Sequence, residues 1–124
     1  MKLSGMLMIK FTAKLEPVPF KRVMTHGKRR YNLPRYVSFK EALGLIAKLA
    51  MHGRAPLTGA IKFHADVYKK IIPTALTFGD WDNHAKAICD ALNGICYVDD
   101  RQIIDGRIRL LRGNPRIDIT LEEI

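Results

Sequence analysis

Apolar and polar residues alternate along two stretches of the chain. In residues 7–15 the apolar positions are Leu7, Ile9, Phe11, Ala13 and Leu15, separated by polar residues such as Lys10, Thr12 and Lys14. In residues 60–68 the apolar positions are Ile61, Phe63, Ala65 and Val67, separated by Lys62, His64 and Asp66. Successive side chains of a strand point to opposite faces, so each stretch predicts a strand with one buried face.

Two other stretches have the spacing of amphipathic helices. The first is predicted to begin at Ser38, because Ser38 and Glu41 match a capping box, and to stop near Gly53. Its apolar stripe consists of Ala42, Leu45, Ile46 and Leu49. The second is predicted from about Asp82 to Asn93, with Asn93-Gly94 as its end. Its inner stripe consists of Ala85, Ile88, Cys89 and Leu92.

The remaining pattern completes a fold prediction. Residues 103–111 and 117–123 are predicted as strands, and the Gly-Asn-Pro turn at 113–115 favours an antiparallel hairpin between them. Residues 17–37 have no periodicity and indicate a long basic loop. The order β-α-β-α-β-β predicts an α+β fold, with two main helices on a mixed four-stranded sheet. Residues 1–124 are expected to form one domain.

Composition narrows the class of protein. A length of 124 residues, with 48% hydrophobic and 27% charged, is typical of one globular domain. No apolar run approaches the ~20 residues that a membrane span needs, and no signal peptide is recognisable, which predicts a cytoplasmic protein. Neither the two cysteines nor the four histidines have the spacing of a zinc site.

The charge distribution indicates a polyanionic partner. The net charge is +9, and no acidic residue lies between Glu16 and Glu41. Cations in that stretch are Lys21, Arg22, Lys28, Arg29, Arg30, Arg35 and Lys40. A second block consists of Arg107, Arg109, Arg112 and Arg116. Blocks of one sign suit phosphate contacts, although a basic surface kept for solubility is the alternative.

An acidic cluster stands out within this basic chain. Five of the twelve acidic residues lie between positions 80 and 100, namely Asp80, Asp82, Asp90, Asp99 and Asp100. A divalent cation would reconcile these acids with an anionic partner, because hard cations bridge carboxylates to phosphate.

Each member of the cluster also has a plain structural interpretation. Asp82 is expected at the first position of its helix, where an N-cap is common. Lys86 and Asp90 follow at four-residue intervals, as in a surface ion-pair ladder, or Lys86 lies beside a scissile phosphate. Asp99 and Asp100 either form an acidic turn before a strand or contribute to the site. Adjacent side chains on an extended chain diverge, so in the second case one of the two is expected to face the site, and spacing does not say which.

These residues resemble the signature of a known family. Residues 80–94 read DWDNHAKAICDALNG, and residues 98–103 read VDDRQI. They are similar to the D-x-D-N-x-x-K-x-x-x-D-A-L-N-G and D-D-x-Q-[IV] motifs of the RusA family of Holliday junction resolvases. The resemblance is firm over residues 78–104. The segment Pro17-Val18-Pro19-Phe20-Lys21-Arg22 is similar to the family's P-x-P-x-K-R segment. His84 stands where the family has an aliphatic residue.

The resemblance implies a site and a chemistry. Asp80, Asp82 and Asp100 would bind Mg²⁺ or Mn²⁺, one or two ions per site, with Lys86 as the fourth catalytic residue. Asn83, Asp90 and Asp99 would have supporting roles, and no organic cofactor is expected. The residues expected to bind nucleic acid are Lys21, Arg22, Lys28, Arg29, Arg30, Arg107 and Arg109.

The resemblance also implies the substrate and the assembly. Family members are homodimers that bind four-way DNA junctions and nick two strands symmetrically, and their genes are frequent in phages and prophages. Two other functions are compatible with the same sequence features. One is a protein that binds branched DNA without cutting it, and the other is a nuclease for forks or flaps.

Overall fold

Four strands form one mixed sheet, in the order Met8–Ala13, Arg116–Glu123, Ile61–Lys69 and Ile103–Arg112. The computed structural model describes residues 7–20, 24–26, 29–31, 34–70 and 80–124. The strands of this sheet are β1 (Met8–Ala13), β4 (Ile61–Lys69), β5 (Ile103–Arg112) and β6 (Arg116–Glu123), and the helices are α1 (Pro34–Ala50) and α2 (Asp80–Leu92). The predicted α+β class, and the order β-α-β-α-β-β, are confirmed.

The alternation along the strands sets the position of the core. On β4, Ile61, Phe63, Ala65 and Val67 are buried. The same face of β6 buries Ile117, Ile119 and Leu121, and β1 adds Ile9 and Ala13. The two helices pack against this face, where their own buried residues join one continuous cluster. The predicted strand faces at 7–15 and 60–68 are therefore confirmed.

The final two strands do not form the hairpin that their turn suggested. Strand β4 lies between them, pairing in parallel with β5 and antiparallel with β6. The connection at 113–115 crosses the end of β4, where the Gly113 N–H donates to the Lys69 carbonyl at 2.9 Å. Two strand spacings amount to about 10 Å, which a connection of a few residues can span. Helix α2 provides the crossover that parallel pairing requires.

Helix α1 begins earlier than the capping box predicted. It starts at Pro34, a residue well suited to a first helical turn because its missing N–H would have no helical partner there. Ser38 therefore lies inside the helix, and the predicted capping box is wrong. Near the other end, Gly53 has the positive φ of 79° expected of a stop.

The predicted stripe of α1 is also wrong. The buried residues are Tyr36, Phe39, Leu43, Gly44 and Ala47. Leu45 and Leu49, which were expected inside, are 61% and 68% exposed. The earlier start brings Tyr36 into the helix, and Tyr36 together with Phe39 turns the buried face away from the two leucines.

The basic stretch 17–37 contains regular structure that its composition did not reveal. Strands β2 (Met24–His26) and β3 (Arg29–Tyr31) pair antiparallel as a separate two-stranded sheet. The interpretation as one irregular loop is therefore wrong. The last residues of the stretch, from Pro34 onward, belong to α1.

Helix α2 covers the acidic motif from its first residue. It begins at Asp80, two residues before the predicted start, so Asp82 lies within the first turn and is not the N-cap. Its end was predicted correctly, because Gly94 follows with a φ of 79°. The helix buries His84, Ala87, Ile88, Ala91 and Leu92, so the predicted inner stripe holds for two of its four members. No helix in the described part of the chain is long and apolar enough to cross a membrane.

Candidate active site on helix α2

The outward face of α2 carries three of the sequence-predicted site residues. Asp82, Lys86 and Asp90 follow one another at four-residue spacing, which places them on one side of the helix. Asp82 and Lys86 are exposed, and Asp90 is half-buried. The backbone of Asp80 is helical, but its side chain lies outside the described structure.

Lys86 has two neighbours that restrict its side chain. Its Nζ lies 3.6 Å from Asp90 Oδ2, and the Lys86 side chain remains 52% exposed. The same Nζ lies over the ring of Phe20, 4.9 Å from its centroid. The ammonium group therefore contacts both a carboxylate and an aromatic face, while about half of the Lys86 side chain stays exposed.

The segment that ends in Phe20 docks directly on α2. The Phe20 N–H donates to the Asn83 carbonyl at 2.9 Å, and Pro17 and Val18 are buried behind it. The Phe20 ring meets the ring of Tyr36 edge to face, with centroids 5.5 Å apart. The proline-rich segment of the motif thus lies beside the lysine of the motif.

Tyr36 joins α1 to this site. Its hydroxyl lies 3.5 Å from Asp90 Oδ2, at the outer limit of a hydrogen bond. Burial, followed by the charge of Asp90, raises the pKa of Tyr36 to about 12. Sequence reasoning missed both Tyr36 and Phe20. The P-x-P-x-K-R resemblance marked the segment containing Phe20, but no sequence signal linked it to Lys86.

Asp99 has a structural role in this part of the molecule. It is the N-cap of a short 3-10 helix, Asp100–Gln102, and forms a capping box with Gln102. The backbone N–H of Arg101, and then its side chain, lower the pKa of Asp99. The Gln102 amide also donates to the carbonyls of Leu57 and Gly59, both at 2.9 Å.

Asp100 instead lies near the side of α2 that carries Cys89. The pKa of the Cys89 thiol is raised to about 11, mainly by burial and in smaller part by the charges of Asp100 and Asp90, while the hydrogen bond of Tyr97 and the charge of Lys86 lower it. The Tyr97 hydroxyl donates to the Cys89 carbonyl at 2.8 Å, which ties the 3-10 region to the helix. The charges of Asp100, Asp90 and Lys86 thus all act on Cys89, in the second half of α2.

The described residues do not by themselves assemble a complete metal centre. Within them, no group of three His, Cys, Asp or Glu side chains is arranged to hold an ion. The sequence-predicted ligand set was Asp80, Asp82 and Asp100, and the Asp80 side chain is outside the described part. The roles assigned to these carboxylates therefore remain predictions.

Two contacts attach the first turn of α2 to strands β4 and β5 of the sheet. The Trp81 indole N–H donates to the Ile108 carbonyl of β5 at 2.6 Å. His84 is 1% exposed, and its Nε2 lies 3.2 Å from the Nζ of Lys69 at the end of β4. The residue that departs from the family pattern therefore faces the protein interior, while Asp82 on the same turn faces solvent.

The basic residues expected to contact nucleic acid fall into three groups. Lys21, Arg22 and Lys28 lie outside the described residues, as do the side chains of Arg29 and Arg30 in β3. Arg107 is exposed. Arg109 donates two hydrogen bonds to Asp66, at 2.8 and 3.0 Å, and these lower the pKa of that carboxyl.

Comparison with known proteins identifies the family. A curated relative, the uncharacterized protein YqaN of Bacillus subtilis (strain 168), is 27% identical over 138 residues, spanning 94% of this chain and 96% of the relative. A solved structure, titled crystal structure of HypE-HypF complex, aligns with 94% of this chain at a TM-score of 0.43 and 13% identity. This chain spans 32% of the length of that one. The sequence profile described as Endodeoxyribonuclease RusA matches residues 15–122. The chain therefore belongs to the RusA endodeoxyribonuclease family, which indicates a nuclease that resolves Holliday junctions.

Proposed function

We propose that this protein is a Mg²⁺-dependent endodeoxyribonuclease that acts as a homodimer, in the cytoplasm, on four-way DNA junctions during recombination and repair. The observation that carries the proposal is the outward face of α2, where Asp82, Lys86 and Asp90 lie within the segment that matches the family. A row of two acids and a lysine at the surface of a basic protein suits a reaction at a phosphodiester.

The donor set fits a hard divalent cation. Carboxylate oxygens are the ligands that Mg²⁺ and Mn²⁺ prefer, and Asp80, Asp82 and Asp100 would hold one or two such ions. When bound, the ion neutralises phosphate charge and supplies a nucleophile at neutral pH. Asp99 is the less suitable of the adjacent acids, because its oxygens already accept from the Arg101 backbone and side chain.

Lys86 would stabilise the negative charge that develops on the phosphate. Its ammonium has three N–H donors, and the contact with Asp90 at 3.6 Å is longer than a good charge-assisted hydrogen bond. With half of its side chain exposed, the lysine can reach a phosphate at the surface of α2. Asp90 keeps the ammonium close to the helix in the absence of DNA.

The basic blocks would bind the junction arms through their phosphates. Such binding follows the shape of the DNA and weakens steeply as salt rises. A two-fold dimer matches a substrate whose two cleaved strands are related by symmetry, and it would present one active site to each strand.

The test compares one acid of the site with one acid outside it. Asp82→Asn should bind a synthetic four-way junction with wild-type affinity but lower its cleavage in Mg²⁺ on the order of 100-fold or more. Asp105→Asn, an exposed carboxylate on β5, is the matched control and should cut normally. Cleavage by Asp82→Asn at the wild-type rate would contradict the proposal.

A substrate panel separates the alternatives. Junction, fork, flap and linear duplex should be compared with and without Mg²⁺ on one denaturing gel. The proposal expects paired, symmetric nicks in the junction and little cutting of linear duplex. Junction binding without cleavage would identify a binding protein, and faster cutting of forks or flaps would identify a different structure-selective nuclease.

A further inference from the structure

The ring of Phe20 contacts the ammonium of Lys86. The family motif leaves the position of Phe20 unspecified, so the motif alone does not indicate this contact. The Nζ lies 4.9 Å from the ring centroid, within the range in which the negative face of an aromatic ring attracts a cation. Asp90 approaches the same nitrogen at 3.6 Å. The two neighbours define where the ammonium rests.

Two helices and the core hold Phe20 and its segment in place. Its N–H donates to the Asn83 carbonyl, one turn before Lys86 on the same helix. Its ring is fixed edge to face against Tyr36, a residue only 3% exposed. Val18, two residues earlier, is buried in the core. The position of the ring is therefore fixed relative to α2. A lysine side chain is flexible and would rotate freely without such a neighbour.

An aromatic face restrains a lysine in a way that a carboxylate does not. A carboxylate accepts hydrogen bonds from the N–H donors of the lysine. A phosphate would then have to compete with the carboxylate for the same donors. The ring attracts the ammonium through its quadrupole and competes for its N–H donors only through weak N–H···π contacts. A lysine held by Phe20 is thus oriented while its donors stay available.

We propose that Phe20 is a positioning residue of the nuclease, which holds the Lys86 ammonium over α2 with its donors free for the scissile phosphate. This inference rests on the proposed function of Lys86. It assigns to the proline-rich segment a part in the reaction, in addition to any contact of the following basic residues with DNA.

The first experiment changes the ring's electrostatics without changing its size. Phenylalanines with one, two and three ring fluorines, which weaken the quadrupole stepwise, are introduced at position 20. The single-turnover cleavage rate of a prebound four-way junction in Mg²⁺ should fall with each fluorine, by about 3- to 10-fold across the series. Junction affinity and the thermal unfolding temperature should stay unchanged. The same series at Phe11, a half-buried ring on β1, is the control and should have no effect on cleavage.

The second experiment asks whether the effect acts through Lys86. Phe20→Leu should slow cleavage in the wild-type background and have no further effect in Lys86→Met, while Phe20→Tyr should retain the rate. Protein NMR gives a readout independent of activity, because the ring current of Phe20 should shift the Lys86 Hε resonances, and Phe20→Leu should abolish that shift.

The outcomes separate this inference from the proposed function. A flat fluorine series in an enzyme that cuts junctions, or equal slowing by Phe20→Leu with and without Lys86, would overturn the inference and leave the function intact. Absence of the ring-current shift would also overturn it. A wild-type protein that binds junctions but never cuts them would refute the proposed function and this inference together.

Discussion

Two cation–carboxylate pairs on this molecule differ in how fully each cation is occupied. Arg109 and Asp66, on neighbouring strands, share two hydrogen bonds of 2.8 and 3.0 Å. Lys86 and Asp90, on one face of α2, share one contact of 3.6 Å, with an aromatic ring on another side of the ammonium. Both pairs lie at the surface, and both cations were predicted to act on DNA.

The difference indicates that one cation is engaged in a structural ion pair, whereas the other has N–H donors available for a phosphate. A guanidinium in a bidentate contact has matched its fork geometry to a carboxylate, so a phosphate must compete for it. An ammonium at 3.6 Å from its acid has donors to spare. A count of basic residues treats the two cations alike, whereas the contacts indicate that Lys86 is available to substrate and Arg109 is partly occupied.

The largest expected effect comes from removing the available cation. Lys86→Met should lower single-turnover cleavage of a four-way junction on the order of 100-fold, because a charge aimed at the reacting phosphate is lost. Junction affinity measured without Mg²⁺ should change little. Lys62→Met, which removes an exposed lysine from β4, is the control. A loss of cleavage as large in the control would show that any lost lysine matters, and would remove the special role of Lys86.

The next effect compares the occupied arginine with its neighbour on β5. Arg107 is exposed and forms no ion pair with the residues that the structure describes. Arg107→Ala should weaken junction binding severalfold and lower the slope of log affinity against log salt by about one. Arg109→Ala should have the smaller effect, as titrations over a salt series would show. Equal losses would mean that Asp66 does not limit the availability of Arg109.

The smallest effect is a pH-dependent contribution to stability. Arg109 holds the pKa of Asp66 below its ordinary value, first through its hydrogen bonds. A carboxyl whose folded-state pKa is lowered stabilises the protein above its unfolded pKa of about 3.9, and this stabilisation is lost as the pH falls through the folded value. Asp66→Asn should therefore lower the free energy of unfolding at pH 7 by less than about 1 kcal/mol, since the pair is at the surface.

Urea unfolding at two pH values checks this sign. The gap between wild type and Asp66→Asn should be present at pH 7 and should close below the folded pKa of Asp66. Asp105→Asn, with the same change of charge on an exposed site, provides the baseline. A gap that is equally wide at acidic pH would assign the effect to packing and not to the charged pair.

The sequence predicted the four strands of the main sheet well, but it missed the short strands β2 and β3 and predicted the faces of the helices poorly. A period of two is local, and a strand such as β4 with four apolar residues in alternation has only one face to bury. Helix α1 has apolar residues on several sides, so periodicity alone cannot choose between Leu43 and Leu45. The choice was made by Phe39 and by Tyr36, and the predicted start at Ser38 had left Tyr36 outside the helix.

The candidate site also has a part that the sequence predicts and a part that it does not. Asp82, Lys86 and Asp90 are close in sequence, and helical spacing alone placed them together. The distinction between Asp99 and Asp100 was also available locally, because Asp99 and Gln102 have the spacing of a capping box. The contact of Phe20 with Lys86 joins residues far apart in the chain, and only the packing of the first segment against α2 creates it.

The position of β6 has a consequence for how this domain is made in the cell. Strand β6 lies between β1 and β4, with Ile117, Ile119 and Leu121 all 0% exposed, and Met8 pairs with Glu122. A nascent chain on the ribosome can therefore form the helices and the β4-α2-β5 unit, but it cannot close the sheet until β6 has been synthesised. Until then β1 has no partner in the sheet and one side of β4 is unpaired. Contacts of such long sequence separation slow folding, so we expect the pairing of β6 with β1 to be a late and slow step.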